Sequence, residues 1–143
     1  MENFFDYKFL KKDYVQGFPA NCGFEVERVG YGIFESRLKI CSVHQQQDGF
    51  VHAGVIATMA DHTAGYAAFT TVSDEYRILT IEFKINYFKP AVGELMVCRS
   101  KVINNGKTIK VSESEVFSVS QGQEKLISKA MVTLIAVPVE NLA

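Results

Sequence analysis

Cysteine is scarce in this chain, and the three present, Cys22, Cys41 and Cys98, are odd in number and widely spaced. They fit neither a disulfide framework nor a zinc pattern, and point to reduced thiols in a cytoplasmic protein. An excess of basic charge is also missing. Fifteen Lys and Arg stand against sixteen Asp and Glu, for a net charge of −1, with both signs intermixed. Without a basic stripe there is nothing to bind a phosphate backbone, so nucleic acid is not an expected partner. The opening MENFFDYKFLKKDYV lacks the basic start and unbroken apolar run of a secretory signal. The longest apolar stretch, Val51 to Val72, is interrupted at its centre by Asp61 and His62, which argues against a membrane span. His44, His52 and His62 lack HExxH spacing, so no metal site is expected.

What is present is enough for one packed core. The chain has 143 residues, 48% hydrophobic and 12% aromatic, which excludes disorder and indicates a single domain over residues 1–143. Residues 3–15 read as a short amphipathic helix, and GFPANCG as a loop. Residues 23–41 read as one or two strands, with Phe34, Ser36, Leu38 and Ile40 alternating against Ile33, Glu35, Arg37 and Lys39. Ala53 to about Phe69 is the one long stretch suited to a helix. From Arg77 the period becomes two, placing Leu79, Ile81, Phe83, Ile85 and Tyr87 on one face and Thr80, Glu82, Lys84 and Asn86 on the other.

Strands over 94–103, 108–119 and 125–137 follow, joined by tight turns that include Asn105-Gly106. A long helix apolar on nearly all sides must be covered, and short connections favour antiparallel neighbours. The expected class is α+β, a central helix wrapped by a curved antiparallel sheet of five to six strands.

Chemistry concentrates in HQQQDGFVHAGVIATMAD, His44 to Asp61. Turn residues stand directly before the helix, so the N–H groups of residues 53–55 are expected to lack intrahelical acceptors and to carry the positive end of the dipole. Such a helix start suits a carbonyl oxygen that becomes an anion, with Gln46 and His52 beside it. Asp61, a carboxylate in an oily helix, is either a satisfied structural group or a chemical tool. Elsewhere, GKT at Gly106 to Thr108 is not a P-loop, because Lys101 occupies the position of its first glycine. Asp74-Glu75 and Glu113/Glu115 read as solvated surface, and Tyr87 and Phe88 as packing residues.

GFVHAGVIATMAD with its Ala-rich helix, then TIEFKINYFKPAVGE, then NGKT, resembles the PaaI-type acyl-CoA thioesterases of the hotdog superfamily over residues 23–137. The resemblance implies a hotdog fold, a homodimer and often a homotetramer, and metal-independent hydrolysis of an acyl-CoA, with coenzyme A entering as part of the substrate and no other cofactor. The family's carboxylate falls on Asp61, its oxyanion-binding amide on Ala53 or Gly54 beside His52, its supporting polar residue on Gln46 and its strand hydroxyl on Thr80. In related proteins such strand ends and hairpins face the nucleotide, which the resemblance places on Lys89, Gly106, Lys107 and Thr108; read alone, they are solvated turn residues.

Two departures are visible. Ala53 replaces the first glycine of the family's HGG, adding a methyl and making left-handed backbone costly. Gln46 replaces Asn. Ala53 and Asp61 are eight residues apart, about 12 Å along one helix. If both serve one reaction, Asp61 must meet the helix start of a second copy. The competing readings are a hotdog hydratase or dehydratase, and a non-catalytic acyl-CoA binding or sensing module.

Overall fold

The computed structural model describes residues 4–142. The chain forms α1 (Tyr7–Tyr14), α2 (Gly17–Cys22), β1 (Glu25–Gly30), β2 (Ile33–Lys39), a 3-10 turn (Ser42–His44), α3 (Ala53–Phe69), β3 (Tyr76–Tyr87), β4 (Leu95–Asn105), β5 (Ile109–Ser120) and β6 (Gln123–Pro138). All six strands join one antiparallel sheet in the order β1-β2-β4-β5-β6-β3. The chain leaves β2, runs along α3 and returns at the far edge as β3. The helix therefore lies across the sheet, touching β2 through β6. This is the hotdog arrangement.

The contact between α3 and the sheet is built from small groups. Ala60, Ala64, Ala67 and Ala68 are fully buried, and the inward rows of the sheet carry Ser36, Ser100, Ser112, Ser114 and Ser128. Small side chains let backbone approach backbone, but each buried hydroxyl then needs a partner. Ser114 donates to the Ala60 carbonyl at 2.7 Å and bonds Ser100 at 2.6 Å. Thr63 bonds Ser36 at 2.9 Å and the Tyr14 hydroxyl at 2.8 Å. Burial pushes the neighbouring Cys98 thiol up to about 11, so it stays protonated and inert.

The first two elements cover part of the side of α3 that the sheet leaves open. Asp6 caps α1 by accepting from the Lys8 N–H at 3.0 Å. Leu10 and Tyr14 then project one turn apart into the core, both at 0% exposure. The Tyr14 ring stacks on Phe34 at 4.9 Å and meets the edge of Tyr66 at 5.1 Å. Asp13 accepts from the Tyr66 hydroxyl at 2.6 Å, and His62 Nε2 lies 2.9 Å from the Tyr14 carbonyl. Burial lowers the His62 pKa, so the imidazole is a neutral donor that docks α1.

Several sequence expectations need correction here. The helix expected over 3–15 begins at Tyr7; residue 3 lies outside the described residues, and Phe4 pairs with Ser73 in an isolated bridge. GFPANC is a helical turn rather than a loop, closed by Gly23 in the left-handed region at φ 93°. Pro19 is tolerated because an N–H in the first turn has no intrahelical acceptor to lose. Strand bounds shift by one or two residues, and the β4–β5 loop spans Gly106 to Thr108.

The largest correction concerns β3. A bulge between Thr80 and Glu82 breaks its alternation. Thr80 pairs with the inward Leu134, and beyond the bulge Phe83, Ile85 and Tyr87 pair with the inward Val132, Ala130 and Ser128. Thr80 thus shares the helix-facing side with Phe83, Ile85 and Tyr87 instead of with Glu82. Tyr87 and Phe88 are not packed either, being 45% and 53% exposed in the single chain.

If α1 is a docked part of the core, Leu10→Ala lowers unfolding stability by about 2–5 kcal/mol in urea titration. Phe18→Ala, at 64% exposure, shifts it by well under about 1 kcal/mol. Equal effects would show that α1 is not part of the cooperative core.

Candidate active site

The start of α3 is held from several directions. His52 is the N-cap, in extended conformation, and its Nδ1 accepts from the Gly54 N–H at 2.8 Å. That bond fixes the tautomer with the proton on Nε2. The His52 carbonyl accepts from the Val55 N–H at 2.9 Å, and its own N–H donates to the His44 carbonyl at 2.8 Å. The Tyr87 hydroxyl donates to the Ala53 carbonyl at 3.0 Å. Of the three amides expected to be free at residues 53–55, only that of Ala53 has no acceptor among the described residues. It sits at the positive end of a helix of 17 residues.

The geometry also separates the two positions of the glycine motif. A Cβ on Gly54 would stand 3.0 Å from His52 Nδ1, so any larger residue there presses on the capping imidazole. Ala53 is the first residue of a right-handed helix, and the only described non-glycine residue with positive φ is Gln121. The expected left-handed cost of Ala53 does not arise.

Asp61 lies two turns on, half-buried, and its Oδ1 accepts from the Thr80 hydroxyl at 2.8 Å. Oδ2 has no protein partner among the described residues. Thr80 faces inward in phase with the buried Ile78, and the bulge after it brings Phe83, Ile85 and Tyr87 to the same side. Gln46 Oε1 is engaged within its own loop, accepting from the Asp48 N–H and, at 3.4 Å, from the Phe50 N–H. Its amide nitrogen retains free donors. Gly49 closes the same loop at φ 86°.

The remaining residues divide by position. Lys89 follows β3 at the end of the sheet near the start of α3. Gly106, Lys107 and Thr108 turn the opposite end, roughly 30 Å away along the strands. One chain therefore cannot gather them around one nucleotide. Met59 and Tyr66 are core residues, while Phe50, Phe83 and Phe88 stay partly exposed. An open cleft of about 450 Å³ beside the helix start has Phe18, Val43, Val55 and Thr58 in its walls. Its α2 wall was missed because GFPANC reads as a loop. No cluster of three metal-binding side chains occurs among the described residues.

The thioesterase superfamily model matches residues 48–125, which include Ala53, Asp61 and Thr80 and leave out Gln46. A thioesterase family protein from Silicibacter pomeroyi superimposes with a TM-score of 0.89 at 32% identity, covering 93% of this chain and 99% of that one. A 1,4-dihydroxy-2-naphthoyl-CoA hydrolase from Listeria monocytogenes is 23% identical over 118 residues, 82% of this chain and 94% of the relative. A thioesterase from Haemophilus influenzae shares the fold, with a TM-score of 0.85 at 18% identity over 96% of this chain and 94% of its own. The family match covers more than half of the sequence and takes in both the bare amide and the carboxylate, so this hotdog chain belongs to the thioesterase superfamily, whose chemistry is hydrolysis of a thioester bond.

Proposed function

We propose that the protein hydrolyses an acyl-CoA thioester at a site shared between two copies, with no cofactor beyond the coenzyme A of the substrate. The carrying observation is the bare Ala53 N–H, about 12 Å from the Asp61 carboxylate along one rigid helix. Neither group can reach the other's reactant within one chain. A two-fold axis that sets two α3 helices antiparallel brings Asp61 of each to Ala53 of the other, giving two equivalent sites.

Two surfaces support that assembly. Gly54, Ala57, Thr58, Asp61 and Gly65 form a stripe of α3 that neither the sheet nor α1 buries. β3 is an edge strand with Leu79, Ile81 and Phe83 exposed, and pairing two such edges would cover them and extend the sheet. Two such dimers would form the homotetramer. In the dimer, Lys89 of one copy and the Gly106–Thr108 hairpin of the other fall on the same side of a site, where a nucleotide could bridge them.

In the proposed mechanism the thioester oxygen accepts the Ala53 N–H, and the helix dipole stabilises the charge that develops there. His52, Gly54 and Tyr87 hold that peptide in place. Thr80 orients Asp61 through Oδ1 and leaves Oδ2 for the reaction. As a base, Asp61 takes a proton from water; hydroxide adds to the carbonyl carbon, and collapse of the oxyanion breaks the C–S bond. The thiolate leaves and is protonated. As a nucleophile, Oδ2 attacks the same carbon, expels the thiolate and leaves an anhydride that water then opens. The Gln46 amide donates to the water or carbonyl, and the acyl group lies in the cleft walled by Phe18 and Val55. The naphthoyl-CoA hydrolase among the relatives supports an acyl-CoA substrate, and three unpaired cysteines support a cytoplasmic enzyme.

Two variants test the roles by free-thiol release from a panel of acyl-CoAs. Asp61→Asn keeps the oligomer and loses about two or more powers of ten in turnover. Ala53→Pro removes the single bare N–H at the first helical position, where proline is well accommodated. It leaves the circular dichroism unchanged and costs about two to three powers of ten. Full activity in folded samples of either variant rules out the role assigned to that group.

A further inference from the structure

At the other end of α3 is a feature the proposed chemistry does not use. Lys110 faces inward from the start of β5 and is only 3% exposed, yet no carboxylate lies within 4.0 Å of it among the described residues. Its ammonium donates to Asn105 Oδ1 at 2.5 Å and to the Gly106 carbonyl at 3.0 Å, both neutral acceptors. Burial lowers its pKa. Buried charges are normally paired, because several kcal/mol of lost hydration must be recovered.

Close by, Ser73 is 2% exposed and its hydroxyl has no hydrogen-bond partner among the described residues. Both residues line one cleft of about 210 Å³, with Tyr76, Asn105 and Lys107 also in its wall. The cleft thus combines a buried cation without a counter-charge, a second cation on an exposed residue and an unused hydroxyl. Those groups all suit an anion with several acceptor oxygens.

We infer that this cleft is a phosphate subsite, with Lys110 and Lys107 supplying charge and Ser73 a directed hydroxyl. A phosphate group offers the number of oxygens these donors need and compensates the buried ammonium. Its two sources are the nucleotide of coenzyme A and free phosphate. Thr71, in the cleft wall, follows directly on the Thr70 cap of α3, and the helix ends eight residues, about 12 Å, beyond Asp61. The cleft therefore lies past the C-terminal end of α3, with Lys107 common to it and to the proposed nucleotide path. Assignment to coenzyme A rests on the proposed thioesterase reading; the phosphate subsite itself does not.

The test uses the intact protein and reads binding separately from hydrolysis. Thermal unfolding is followed in inorganic phosphate, with chloride at matched ionic strength as the control. Phosphate is expected to raise the Tm of the wild type saturably, with an apparent Kd at least threefold weaker in Ser73→Ala and Lys107→Ala. Neither substitution removes a bond made within the chain. Lys110→Met abolishes the effect if it folds, and the other two variants decide the matter if it does not.

A shift no larger than that in chloride, or equal in all variants, overturns the subsite. Coenzyme A and acyl-pantetheine, which lacks the nucleotide, then distinguish the sources. If the nucleotide is the occupant, Ser73→Ala raises KM for acyl-CoA and leaves acyl-pantetheine hydrolysis unchanged. If free phosphate is the occupant, both substrates respond alike. If neither substrate is hydrolysed by the wild type, the thioesterase reading fails while the phosphate result stands or falls alone.

Discussion

The rise of an α-helix, 1.5 Å per residue, governs this protein's functional geometry. It holds the bare Ala53 amide and the Asp61 carboxylate about 12 Å apart on a rod that core packing prevents from bending. Everything else serves either to fix that rod or to leave its reactive side open. The sheet takes one face of α3 through Ala–Ser contacts, and Leu10 and Tyr14 take another. The stripe from Gly54 to Gly65 remains, and it carries the carboxylate. Under the proposed reaction, a pair that cannot close within one chain makes association part of the chemistry, beyond its value for stability.

The same economy shapes the helix start. An N-terminal turn leaves several amides without intrahelical acceptors, and an indiscriminate group of donors would compete for water. Here His52 takes one amide and contributes its carbonyl to others, while Tyr87 ties the first turn to β3. One donor is left, pointing from a peptide whose neighbours are all engaged. Preorganisation of this kind gives a single N–H its effect, since the protein need not rearrange as charge develops. The substitution of alanine for glycine at residue 53 then becomes intelligible: the position is helical and has room, whereas Gly54 next to it is pressed against the capping imidazole.

The long apolar helix and the strands after it were legible because their periodicity is strong and their turns carry glycine or proline. Asp61 and Ala53 were legible as candidates from the oily helix and its start, and Thr80 only through the family resemblance. What escaped depended on single residues whose role is set by tertiary context. The bulge that puts Thr80 on the same side as Phe83, Ile85 and Tyr87 has no signal in TIEFKINY, whose alternation reads as unbroken. His52 is not one of the usual capping residues, so its claim on the Gly54 amide was invisible. Tyr87 read as packing, and GFPANC, with its glycine and proline, read as a loop. Lys110 and Ser73 lie 37 residues apart in sequence, and only the fold brings them to one cleft.

The central claim is that each site takes its carboxylate from one chain and its amide from another. The direct measurement is thioester hydrolysis after mixing Asp61→Asn with Ala53→Pro under demonstrated subunit exchange. Each parent variant is inactive, but a hybrid dimer contains one site with both groups intact. Activity should recover to roughly a quarter of wild type when exchange is complete and random. No recovery in a mixture shown to contain hybrid dimers would contradict the shared site.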